Sequence, residues 1–124
     1  MPPSSHHDEL KALAALLRAD LAALTDETEG LLYREQPALV GRVDAALRRE
    51  GIGHTHARFV ALLEGETEDA SARHVAFGAA MAGAGVTVEE LLAGYRVGAQ
   101  VGWRHVTRHA RALDLSAGAV LALA

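Results

Sequence analysis

The chain has no cysteine, which excludes disulfides, thiolate metal sites and cysteine nucleophiles together. Its sole lysine is Lys11, and no glycine-rich loop precedes it, so a phosphate-cradling nucleotide loop is absent. No Gly-x-Ser-x-Gly elbow and no His-Glu-x-x-His motif occurs. The acidic residues Glu64, Glu66, Glu68 and Asp69 straddle a helix boundary and read as N-terminal dipole chemistry rather than as a catalytic pair. No enzymatic activity is expected. Positive charge is also scarce: the net charge is −4 and the isoelectric point near 5.9. Because non-specific nucleic-acid affinity comes mainly from neutralising phosphates, no direct nucleic-acid binding is expected. No apolar run approaches the roughly 18 uncharged residues of a membrane span. The first seven residues, Met-Pro-Pro-Ser-Ser-His-His, lack the charged start and apolar stretch of a secretory leader. A cytoplasmic protein without membrane association is the expectation.

What the chain does have is small and aliphatic. Half of its 124 residues are hydrophobic, while aromatic residues are limited to one Trp, two Tyr and two Phe. A chain of this size is one domain that buries roughly two-thirds of its unfolded surface. Leu10, Leu13, Leu17, Leu21 and Leu24 recur at helical spacing, with Ser5 or Asp8 as cap and Thr25-Asp26-Glu27 as the next start signal. A short helix through Tyr33 then meets Pro37. A segment over 38–50 is expected to stop at Gly51-Ile52-Gly53, another over 55–64 at Gly65, and a third over 67–81 at Gly83-Ala84-Gly85. A long helix follows Thr87 to about Leu113, and Asp114-Leu115-Ser116 starts a last one. No segment alternates with period two for long enough to make a strand. The fold class is all-α, a single bundle of six to seven helices over 8–124, with 1–7 as a disordered tail. The apolar end at Val120-Leu-Ala-Leu-Ala, without cap or polar tail, suggests a piece of a longer protein.

Residues 85–103 are the most informative stretch. Thr87 and Glu90 have the spacing of a capping box, and Val86 can staple onto Leu91. The helix then carries Gly94, Gly98 and Gly102, each costing about 1 kcal/mol relative to alanine. Three on one stripe suggest a packing partner too close for side chains, within the chain or across a homodimer interface. At about 100° per residue, Val88, Leu92, Ala99, Trp103, Val106, Ala110 and Leu113 fall within about 80° of Tyr95. One wide buried face is therefore expected, half bulky and half flat, with Trp103 as a core plug. Arg96, at its edge, would pair with a buried carboxylate, cap a neighbouring helix or hold an anionic ligand. Gly94, Tyr95, Arg96, Gly98, Gly102 and Trp103 are the candidate packing, ligand or interface positions.

Seven histidines raise the question of metal. His105 and His109 share one helix face, as zinc-binding histidines do, and His54-x-His56 could add nitrogen. No catalytic glutamate accompanies the first pair, and two histidines four apart arise readily by chance. No metal and no cofactor are expected. A haem-binding globin needs a large aromatic-lined pocket, and both Phe lie far in sequence from His105.

Phe-Val-Ala-Leu-Leu-Glu-Gly at 59–65, then Arg73 and Gly78, then Gly-Val-x-Val-Glu-Glu-Leu-Leu-x-x-Tyr-Arg-Val-Gly at 85–98 with Trp103, resembles the RsbRD-type N-terminal domain of RsbT co-antagonist proteins. The likeness is best over 56–113. It implies a helical domain, globin-like without haem as in related stressosome proteins, that precedes the helix-turn-helix of PucR/CdaR-type bacterial transcription regulators. That helix-turn-helix is not within these residues. The resemblance thus implies a non-enzymatic sensory module, homodimeric, acting on a downstream domain in cis and open to a small-molecule effector. A stressosome-type interaction domain and a stand-alone small-molecule binding module are the alternatives.

Overall fold

The computed structural model describes residues 3–66 and 71–115, and among these there are six helices and no strand. They are α1 (Pro3–Ala19), α2 (Leu21–Glu35), α3 (Pro37–Arg42), α4 (Ala45–Leu63), α5 (Ser71–Gly83) and α6 (Val88–Ala112). α2 packs between α4 and α6, and α1 lies against the same two helices. Two buried clusters result. Leu24, Leu31, Leu32, Leu39, Val43, Met81, Val97 and Val101 form one, and Leu13, Ala14, Leu17, Val60, Leu63 and Val106 form the other. Leu21, at the α1–α2 junction, touches both. Each fully buried Leu or Val contributes about 1.5–3 kcal/mol relative to exposure.

Some boundaries follow the local signals. Pro37 occupies the first turn of α3, where its missing N–H costs no hydrogen bond. Gly85 has φ of +83° where the chain turns from α5 into α6. Thr87 accepts from the Glu90 N–H and the Glu90 carboxylate accepts from the Thr87 N–H, both at 3.1 Å. Val86 and Leu91, the two ends of the expected staple, pack on the same core cluster.

Other boundaries differ, each for a tertiary reason. α1 begins at Pro3, inside the segment expected as a tail. The first long helix breaks at Asp20, not at Thr25, and Thr25, Asp26 and Glu27 lie inside α2. Asp20 stands at the cap position of α2 but makes no capping hydrogen bond with its side chain, which is engaged by α6 instead. The segment expected over 38–50 divides at Val43, and Asp44 caps α4 by accepting from the N–H groups of Ala46 and Leu47. α4 then runs straight through Gly51 and Gly53. Packing favours glycine at position 51, since a β-carbon there would overlap the edge of the Phe77 ring unless that ring shifts. The start expected at 67–70 and the helix expected after Asp114 lie largely outside the described residues.

Arg48 holds the α2–α3–α4 corner. It is buried, pairs with Glu29 through Nε at 2.6 Å and Nη2 at 3.2 Å, and donates from Nη1 to the carbonyls of Val43 at 2.9 Å and Val40 at 3.2 Å. Its guanidinium also lies 5.3 Å from the Tyr33 ring centre, within cation–π range. The Glu29 carboxylate raises the Arg48 pKa above its ordinary value, against the lowering effect of burial.

Candidate functional site

α6 is about 37 Å long at about 1.5 Å per residue, and the orientation of its faces decides what it can do. Val97, Val101, His105, Val106 and Ala110 are its buried residues. The inward direction therefore runs along the glycine–histidine stripe, turned by about 80° from Tyr95. Of the bulky stripe, Val106 and Ala110 stay buried and Tyr95 is half-buried, while the remaining residues face out. Val88 is 69% exposed, Leu92 53% and Trp103 48%, with Ala99 and Leu113 exposed on the same side. This corrects the expectation of one wide buried face and of Trp103 as a core plug. The physical reason is that α1 and α2 pack on the side that carries Val97, Val101 and His105, which leaves the larger side chains at the far edge of the helix on the rim.

The glycines themselves are not at backbone-to-backbone contact. A β-carbon at Gly94 would lie 3.3 Å from Leu39 Cδ2, at Gly98 3.9 Å from Thr28 Cγ2, and at Gly102 3.7 Å from His56 Cε1. Only Gly94 is tight, against the end of a leucine. The expectation that all three mark a crossing too close for a side chain does not hold.

Of the six candidate positions, the fold brings four to one surface groove. Tyr95, Gly98, Gly102 and Trp103 line a cavity of about 340 Å³ together with Phe59 and His56 from α4. Gly94 belongs instead to a central apolar cavity of about 70 Å³, shared with Tyr95 and Gly98 and closed by Leu32, Leu39, Phe77 and Met81. That volume is far below the roughly 300–1,000 Å³ of ordinary ligand pockets, and a haem would not fit. Arg96 stands apart: it is exposed and forms no ion pair with any described residue. The expected salt bridge is not made there.

A polar constellation that sequence reading missed lies under the inward stripe. His56 is buried, with Nε2 3.0 Å from the Thr28 hydroxyl. Burial, with the nearby His105 as a smaller contributor, lowers its pKa below the ordinary histidine value. One turn further along α6, His105 places Nδ1 3.0 Å from Asp20 Oδ2 and Nε2 2.6 Å from Glu27 Oε2. His109 reaches the same Asp20 oxygen from Nε2 at 2.5 Å. Burial alone would raise the Asp20 pKa, but the hydrogen bonds from His109 and His105 outweigh it and hold the carboxyl below its ordinary value. No local signal could have joined Asp20 to His109, which stand 89 positions apart.

Among the described residues, no helix is long and apolar enough to cross a membrane. Comparison with curated proteins and with solved structures gave no match. A family model described as the RsbT co-antagonist protein rsbRD N-terminal domain matches residues 22–124, which takes in α2 to α6. That is a family of regulatory, non-catalytic domains. The match covers the capped long helix, its glycine stripe and the helices that stripe packs on, and this chain belongs to the RsbT co-antagonist rsbRD N-terminal domain family.

Proposed function

We propose that this chain is the sensory and regulatory N-terminal module of a bacterial PucR-like transcription regulator. It acts in the cytoplasm as a homodimer and passes a signal to a DNA-binding domain in cis that lies outside these residues. The observation that supports this reading is the outward apolar stripe of α6. Val88, Leu92, Ala99, Trp103 and Leu113 are exposed along most of the helix length. Apolar surface so aligned favours association, and two copies laid along α6 would join their output domains through one rigid element. Sedimentation tests this directly. The wild-type chain is expected as a dimer, and Leu92→Glu and Trp103→Glu as folded monomers by circular dichroism. A wild-type chain that stays monomeric at high concentration would sink the homodimer. Full-length regulator carrying either variant is expected to lose its normal promoter response. An unchanged response would argue instead for a stressosome-type role of the same stripe, with an unlike partner.

The second reading is a small-molecule binding module. The groove of about 340 Å³ beside Tyr95 and Trp103 favours it, since its size lies at the lower end of ligand sites. Trp103 is the sole tryptophan, so its fluorescence reports occupancy. Titration with small aromatic and anionic metabolites that leaves this signal flat counts against the reading.

A further inference from the structure

The side chains of Asp20, His105 and His109 meet at one point between the α1–α2 junction and α6, with one donor atom from each lying within 4.8 Å of the others. Asp20 Oδ2 is 3.0 Å from His105 Nδ1 and 2.5 Å from His109 Nε2. Donors of a tetrahedral zinc ion stand about 3.3 Å apart, given metal–ligand distances of about 2.0–2.2 Å. Asp20 Oδ2 would therefore need to draw back from each histidine nitrogen by less than about 1 Å to share an ion of that radius with them.

Three further observations point to a cation. First, Glu27 Oε2 sits 2.6 Å from His105 Nε2. A carboxylate on the distal nitrogen fixes the ring and its tautomer, as in the carboxylate–histidine–metal arrangement of known sites. When Nε2 carries the proton that bonds Glu27, the Nδ1 lone pair is free to meet an ion between Asp20 and His109. Second, Arg108 Nη2 lies 2.9 Å from His105 Nδ1 and 3.6 Å from Asp20 Oδ2. A positive group already occupies the point where the donors converge. Third, the Arg108 side chain is 61% exposed, so it can swing away. Asp20 meanwhile leaves the N–H groups of α2 uncapped by its side chain in order to face α6, although a cap of that type contributes about 1 kcal/mol.

We propose that Asp20, His105 and His109 form a binding site for a divalent transition metal of the zinc class, with Glu27 as the positioning residue of His105 and a fourth coordination position open. Two imidazoles and a carboxylate suit Zn²⁺ and its first-row neighbours rather than Mg²⁺ or Ca²⁺, which favour all-oxygen sites. The ion would clamp α6 to the junction of α1 and α2, and the proposal stands whatever output domain the chain serves.

The test uses tag-free protein in which His6 and His7 are replaced by alanine, titrated with Zn²⁺ by calorimetry and with Co²⁺ by visible absorption. One equivalent is expected to bind, with the intense d–d bands of a four- or five-coordinate Co²⁺ ion. His109→Ala and Asp20→Asn are expected to abolish binding, and Glu27→Gln to weaken it by about 10–100-fold at unchanged stoichiometry. Arg108→Ala, at an exposed position, removes the competing guanidinium and is expected to tighten binding several-fold, a result that loss of folding cannot mimic. Absence of binding by the parent protein would overturn the site. So would unchanged affinity in both Asp20→Asn and Arg108→Ala.

Discussion

Gly51 and Phe77 stand in direct opposition: the edge of the Phe77 ring comes within 2.2 Å of the point where a β-carbon of residue 51 would stand. Gly51→Ala is therefore expected to destabilise the fold by about 1–3 kcal/mol through overpacking, despite alanine's better helix propensity. In a Phe77→Ala background the same substitution should cost nothing, because the obstruction is gone, and a double-mutant cycle reads that coupling. Gly102→Ala is the contrast. Its β-carbon would meet His56 at an ordinary 3.7 Å, so a gain of up to about 1 kcal/mol is expected. Denaturant midpoints of the two variants that move in the same direction would contradict this geometry.

Arg48 and Glu29 form a buried, two-point ion pair. Removing only the arginine leaves a buried carboxylate and two carbonyls without their donor, so Arg48→Ala is expected to cost about 3–5 kcal/mol. Replacing both partners, as Arg48→Met with Glu29→Leu, should recover most of that loss. Urea unfolding of the single and double variants measures the difference.

The α6 cap gives a smaller effect. Thr87→Ala removes one half of the capping box and is expected to cost about 1 kcal/mol. Glu90 also accepts from Arg42 Nη1 at 2.5 Å. Glu90→Gln preserves the capping geometry while removing the charge, so it should cost less than Thr87→Ala. Thermal unfolding of the two variants ranks them.

His56 predicts a pH dependence with a definite sign. Its folded-state pKa is lowered, by burial first and by His105 on α6 second. Above the ordinary histidine value both states are neutral and its contribution is fully present. As pH falls below that value the unfolded chain takes up a proton that the folded chain refuses, and stability drops towards the lowered pKa. His56→Gln can still bond the Thr28 hydroxyl on α2 but does not titrate. The melting temperature of the wild type should therefore fall more steeply than that of His56→Gln between about pH 7 and 5.5. Parallel curves would remove His56 as the source.

Local chemistry was legible where one residue's neighbours in sequence are also its neighbours in space. The Thr87–Glu90 cap, Pro37 at the start of α3 and the turn at Gly85 belong to that class. The glycine stripe was legible as unusual, but its partners were not, because Leu39, Thr28 and His56 come from three other helices. Trp103 was expected inside on a wheel argument that gives the angle between stripes without saying which one meets the core. Arg96 was expected to pair, and it faces solvent.

Composition and periodicity by themselves determined that this chain is helical, that it lacks the thiol, nucleotide-loop and basic-surface chemistries, and that its longest helix starts at Thr87. These properties depend on residue type and on separations of a few positions, where helix geometry fixes which groups meet. Tertiary structure decided which face of α6 turns inward, that Gly51 meets the Phe77 ring, and that Asp20, Glu27, His105 and His109 converge. Those contacts join residues 78 to 89 positions apart. Only the close packing of α1, α2 and α6 brings them within reach, and no local preference encodes that distance.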